Sequence, residues 1–158
     1  MVDAVIITMN SSLEKLHSEW RKDAEVDEFN LDRASLDIPK LHSKYLYLLD
    51  LAKETLREQE YLYAILLKKR LSWYDGELTK EEMDELEWEY DPYAGKLVKT
   101  KLQKDHYLKS DEVLLKAQQE LDATKQKIDS IKEMLDNIKW RGNFIKNAIE
   151  FRKFQAGA

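Results

Sequence analysis

Two short clusters hold the residues best suited to chemistry. Lys68, Lys69 and Arg70 are followed within one helical turn by Trp73 and Tyr74, and preceded by Tyr61 and Tyr63. Cations that track phosphates and rings on which unpaired bases stack are the two parts of a single-strand nucleic-acid site, each stacked base contributing about 1–3 kcal/mol by truncation. The same cluster also reads as a solvated helix end whose cations favour the negative end of the helix dipole, with the Trp-Tyr pair in the core. A second basic set, Lys139, Arg141, Lys146, Arg152 and Lys153, is opposed only by Glu150. It suits either a second phosphate contact or an intersubunit partner for an acidic run, and complementary runs in one short chain favour the latter.

Catalytic and metal-binding patterns are incomplete. Glu14-x-x-His17 has the spacing of half a di-iron ligand set, but Gln103 and His106 share that spacing without a bridging carboxylate, and His42 follows Pro39. No metal centre and no cofactor are expected. Ser12-x-x-Lys15 has the spacing of a nucleophile pair within a capping context that accounts for the serine. There is no Gly-rich phosphate loop. The absence of cysteine excludes disulfides, thiolate nucleophiles and Cys-based zinc sites. The chain therefore reads as a non-enzyme.

Composition says what must position these clusters. The 158 residues include only four glycines and two prolines, and these punctuate long stretches of Leu, Lys, Glu, Ala and Gln. An all-α protein built of long helices is expected. Ser11-x-x-Glu14 has the form of a capping box opening a first short helix with Leu13, Leu16 and Trp20 on one face. Val5, Ile6 and Ile7 before it suit a short edge strand, a sticky arm or a frayed end. A turn of helix over Leu31 to Ile38 precedes Pro39, which opens a helix through Tyr74 carrying Tyr45, Leu49, Ala52, Leu56, Tyr63, Leu66 and Trp73. Asp75-Gly76 ends it. The following segment, Glu77 to Asp91, is so rich in carboxylates that most of it must stay solvated.

The last third carries a coiled-coil stripe. Steps of three and four from Leu114 give Ala117, Leu121, Thr124, Ile128, Ile131, Leu135, Ile138, Gly142, Ile145 and Ile149. A narrow apolar stripe needs partner helices from this chain or from others, and other chains are the favoured source. Leu114, Leu121, Ile128, Ile131, Leu135, Ile138, Ile145 and Ile149 are thus expected to form a homo-oligomer. Two regions follow: 1–95, with the basic helix end and the acidic loop, and 96–158, with the oligomerisation helices.

Charge separates the same two regions. Residues 1–95 carry 12 basic and 22 acidic side chains, and residues 96–158 carry 14 and 9, within an overall charge of −5. That is not the uniformly basic body of a duplex-DNA binder. Mean hydropathy is −0.65, and no apolar run reaches the roughly 20 residues needed to cross a bilayer. The start lacks the features of a secretion signal, so a cytoplasmic protein is expected.

Three stretches carry a resemblance. Leu36-Asp37-Ile38-Pro39-Lys40-Leu41-His42-Ser43-Lys44-Tyr45, the run from Leu67 through Lys68, Lys69, Arg70, Trp73 and Tyr74 to Gly76, and the run from Lys139 through Arg141-Gly142 and Ile145-Lys146 to Phe154 and Gly157 are similar to the UvsY recombination mediators of T-even-like phages. The similarity runs in order from about Leu13 to Gly157. The ten-residue N-terminal extension and the longer acidic loop around 77–95 depart from it. The resemblance implies a ring-like homo-oligomer of six or seven chains, formed through the C-terminal helix in the cytoplasm of an infected bacterial host. It would bind single-stranded DNA and help a RecA-like phage recombinase replace the single-stranded-DNA-binding protein. By position Lys68 and Arg70 match the two basic residues that family uses to hold DNA, whereas Lys69 is included for its charge. The alternative is a coiled-coil assembly scaffold or adaptor whose acidic block engages a basic partner without touching nucleic acid.

Overall fold

The computed structural model describes the backbone of residues 2–157 and the side chains of residues 12–157. Among the described residues six helices follow one another: α1 Val2–Ala24, α2 Leu31–Leu36, α3 Ile38–Tyr74, α4 Lys80–Glu85, α5 Lys101–Lys109 and α6 Glu112–Gln155. No strand occurs among the described residues. At about 1.5 Å per residue, α3 is roughly 55 Å long and α6 roughly 65 Å.

The first helix begins earlier than its capping pattern suggests. Its backbone is helical from Val2, so Ser11 lies inside α1 rather than at its start. The stretch holding Val5 to Ile7 is helical rather than extended; its side chains lie outside the described ones. Asn10, Ser11 and Ser12 are poor helix formers, but each costs only about half a kcal/mol relative to alanine, which a continuing helix tolerates.

The ends of α3 follow the sequence closely. Pro39 stands in the first turn, where a missing N–H is not needed. At the other end Gly76 adopts φ +74°. Its N–H bonds Trp73 O at 3.1 Å, and Glu77 N bonds Ser72 O at 2.9 Å. This is a Schellman stop, which favours glycine because a Cβ is strained at positive φ.

The chain forms two compact units, residues 1–55 with 123–158, and residues 56–122. This division differs from a cut at residue 95, because α3 and α6 each contribute one part to each unit. In the first unit Trp20 packs edge-on against Tyr45, with ring centroids 5.2 Å apart. The Tyr45 hydroxyl donates to Asp23 Oδ2 at 3.1 Å, and Lys44 pairs with the same oxygen at 2.6 Å. Burial, reinforced by that acceptor, raises the Tyr45 pKa above the ordinary tyrosine value.

The apolar stripe of α6 is filled by this chain itself. Leu114, Leu121, Ile128, Ile131, Leu135, Ile138 and Ile145 are buried in the single chain, Ile131 and Ile138 completely, and Ile149 is half-buried. The seven buried residues are core in the single chain and have little surface left for the expected contacts between copies, whereas Ile149 keeps part of its own. Periodicity alone cannot tell the two uses apart, since a helix of the same chain fills a stripe as well as a neighbour's does. Gly142 interrupts the stripe beside α3: a Cβ built there would meet Ile38 Cδ1 at 3.8 Å.

The terminal basic set is also largely engaged within the chain. Arg141 donates to Asp23 O at 2.7 Å and Glu25 O at 2.8 Å, satisfying carbonyls at and just beyond the end of α1. Arg152 donates to Glu28 O. Lys139 pairs with Asp136 at 2.9 Å and Lys146 with Glu150 at 3.9 Å, both on the surface of α6.

Candidate nucleic-acid interface

The aromatic and basic cluster at the end of α3 divides into a buried part and an exposed part. Arg70 retains only 6% of its surface. Its Nε donates to Asp111 Oδ2 at 2.8 Å, and its Nη2 bonds the same oxygen. Its guanidinium lies 3.9 Å from the Trp73 ring centroid and 4.5 Å from that of Trp88. A cation over indole faces, shielded from water, gains up to about 2 kcal/mol.

Asp111 has three duties. Its Oδ1 accepts from Leu114 N at 3.0 Å, capping the N-terminus of α6. Its Oδ2 accepts from Arg70 and, at 2.8 Å, from the Tyr74 hydroxyl. One carboxylate thereby fastens the end of α3 to the start of α6.

The acidic segment supplies the rest of this core. Trp73, Tyr74 and Met83 form its buried centre, with Leu78, Trp88, Tyr93, Tyr107 and Leu108 packed against them. Trp73 Nε1 donates to Glu89 O at 2.8 Å, and the Tyr93 hydroxyl to Tyr74 O at 2.8 Å. Lys104 pairs with Asp75 at 2.8 Å. Thr79 and Glu82 form a capping box on α4, and Thr100 and Gln103 another on α5. The carboxylates between Glu77 and Asp91 remain exposed, as charge demands. The apolar residues set among them were missed by reading the segment as an acidic loop; their signal was Met83, Trp88 and Tyr93 themselves.

Burial changes the roles open to the five clustered residues. Trp73 and Tyr74 are 8% exposed and offer no free face for a base, so they serve as core rather than as a stacking platform. Arg70 is enclosed and paired. Lys68 and Lys69 are exposed, with no ion pair to another described residue. They are the cations at this helix end that can reach a phosphate.

Burial, and then the bond to Asp111, pushes the Tyr74 hydroxyl up to about 12. The folded form holds this proton more tightly than the unfolded chain, whose tyrosines ionise near 10. The resulting stabilisation is intact below pH 10 and disappears as pH rises toward 12. Tyr74→Phe is therefore expected to lower the urea midpoint at pH 8, yet to lose less of it between pH 10 and 12 than the unsubstituted protein. Parallel declines across that range would contradict the assignment.

The residues of the other sequence patterns lie elsewhere. Gln103 caps α5, Ser12 Oγ accepts from Lys127 Nζ at 3.3 Å, and His17 lines a shallow groove with Trp20, Glu133 and Met134. Among the described residues no group of His, Asp and Glu is placed to hold a metal ion. No helix among them is long and apolar enough to cross a membrane.

No curated relative matches the chain. Its structure is similar to crystal structures of the bacteriophage T4 recombination mediator protein UvsY. Against lattice type II the identity is 28%, the TM-score 0.74, and the coverage 90% of this chain and 96% of that one. Against lattice type IV the values are 27%, 0.75, 90% and 98%. The family model described as recombination, repair and ssDNA binding protein UvsY matches residues 19–158, and the chain belongs to the UvsY family.

Proposed function

We propose that this chain is a non-enzymatic recombination mediator. As a ring-like homo-oligomer of six or seven copies it binds single-stranded DNA and promotes loading of a RecA-like recombinase in place of the single-stranded-DNA-binding protein. Family membership over residues 19–158 carries this reading. Two features of the molecule support it.

The first is the exposed pair Lys68 and Lys69 at the end of α3. Two charges are a weak grip, so repetition around an oligomer is needed to hold a strand. Arg70, Trp73, Tyr74 and Asp111 then act as the rigid seat that aims this helix end. The second is an apolar stripe on α6 distinct from the buried one. Trp140, Phe144, Phe151 and Phe154 are exposed, and with Asn147 they follow heptad steps of four and three. A second copy covers such a face well, because exposed aromatic side chains at heptad spacing pack helix on helix.

Phosphate contacts predict binding that tolerates any sequence and weakens steeply with salt. Lys68→Ala with Lys69→Ala should reduce affinity for a labelled oligonucleotide and flatten the slope of log K against log salt by about 0.7 for each phosphate that is no longer neutralised. Native mass and urea midpoint should stay unchanged. An unaltered titration would move the site away from α3. No binding by the unsubstituted protein even at low salt would favour the scaffold reading.

A further inference from the structure

The buried state of Trp73 and Tyr74 leaves the exposed lysines without the rings that the sequence places beside them. Another ring stands ready on the same helix. Tyr61 is 68% exposed and Leu62 is 62% exposed, and Ile65 is also exposed at 39%. On an α-helix, residues three, four and seven apart share a face. Tyr61, Ile65 and Lys68 therefore form one row, and Leu62, Ile65 and Lys69 a second beside it.

Both rows lie within the unit of residues 56–122. Tyr61 makes no hydrogen bond or ring contact with another described residue, and neither Lys68 nor Lys69 makes an ion pair with one. The distance from Tyr61 to Lys68 along the axis is about 10 Å, which a lysine stem and a short run of nucleotides can bridge. Arg57 and Glu58, both exposed, lie one turn before Tyr61; their opposite charges offset each other, so the net cationic surface runs from Tyr61 toward Lys69.

We infer that Tyr61, flanked by Leu62 and Ile65, is the platform on which an unpaired base of the bound strand stacks while Lys68 and Lys69 hold its phosphates. This rests on the single-strand-binding reading above and adds the base-contacting residue to it. The occupant is a single strand because the face combines an unpartnered ring with unpaired cations. An apolar protein surface would leave both lysines without counter-charge, and a duplex would keep its bases stacked on one another. Stacking is tolerant of sequence, since every base has a π face.

Titration of a labelled oligonucleotide, and of an abasic strand of equal length, tests the assignment by fluorescence anisotropy. Tyr61→Ala should weaken binding to the base-bearing strand by roughly 5- to 150-fold while leaving the salt slope unchanged, and Tyr61→Phe should restore it. On the abasic strand Tyr61→Ala and the unsubstituted protein should bind alike. If Tyr61→Ala binds the base-bearing strand normally while the double lysine variant does not, the platform is refuted and single-strand binding stands. If Tyr61→Ala changes the native mass, the face joins copies of the chain, which also refutes the platform. Failure of the unsubstituted protein to bind either strand would remove the underlying reading as well.

Discussion

Asp111→Ala is expected to lower folding stability by about 3–5 kcal/mol, the usual cost of removing one partner from a buried ion pair. The carboxylate is 3% exposed, and its loss deprives three donors at once: the Arg70 guanidinium, the Tyr74 hydroxyl and the Leu114 N–H. Arg70 would remain as an unpaired cation between Trp73 and Trp88. In a chain of this length a loss of that size moves the melting temperature by about 10 °C or more. Urea denaturation followed by circular dichroism reads it directly, and an unchanged midpoint would show that the pair is not a structural anchor.

Arg70 differs from Lys68 and Lys69 for the same reason. Arg70→Lys should not restore stability, because an ammonium lacks the planar fork that serves Asp111 while stacking on indole. If Arg70→Ala weakens oligonucleotide binding, the loss should accompany a lower melting temperature. The lysine substitutions should weaken binding at an unchanged one. Of the two residues that the resemblance matches to that family's basic pair, Lys68 is thus proposed as a phosphate contact and Arg70 as an anchor.

The other large effect is expected at the exposed stripe of α6. Trp140→Asp combined with Phe144→Asp places two carboxylates where a neighbouring copy is proposed to pack, and burying them there unpaired is costly. Both residues are exposed in the single chain, so helical content should persist while the assembly dissociates to particles of 18.8 kDa. Single-strand affinity should then fall by about 10²- to 10⁴-fold, the contribution that joining several weak sites supplies. An assembly of unchanged mass would show that this stripe does not join copies.

The fold was largely legible because its signals are local. Pro39, Asp75-Gly76 and the three-four spacing from Leu114 act through backbone geometry and periodicity, and α3 and α6 begin and end close to where those signals put them. The fate of each apolar face was not legible, because it depends on which helix meets which. The Leu114 to Ile149 stripe and the Trp140 to Phe154 stripe both have heptad spacing. Only packing shows that the first is covered by this chain and the second is open.

The candidate site divides in the same way. Its cations were readable from residue type, but whether a ring faces solvent or core is a tertiary fact. Trp73 and Tyr74 are covered by Met83, Trp88 and Tyr93 from a segment whose carboxylates dominate its sequence. Arg70 is tied down by Asp111, 41 residues away. Tyr61 gains importance only once those neighbours are seen to be enclosed.

Several weakly cationic helix ends, presented side by side, are proposed to hold one strand. Sedimentation velocity of the unsubstituted protein at micromolar concentration, with a fluorescent oligonucleotide present, tests this most directly. The oligonucleotide should travel with a particle of six or seven chains and leave it as salt is raised. A single chain carrying the oligonucleotide tightly would contradict the account.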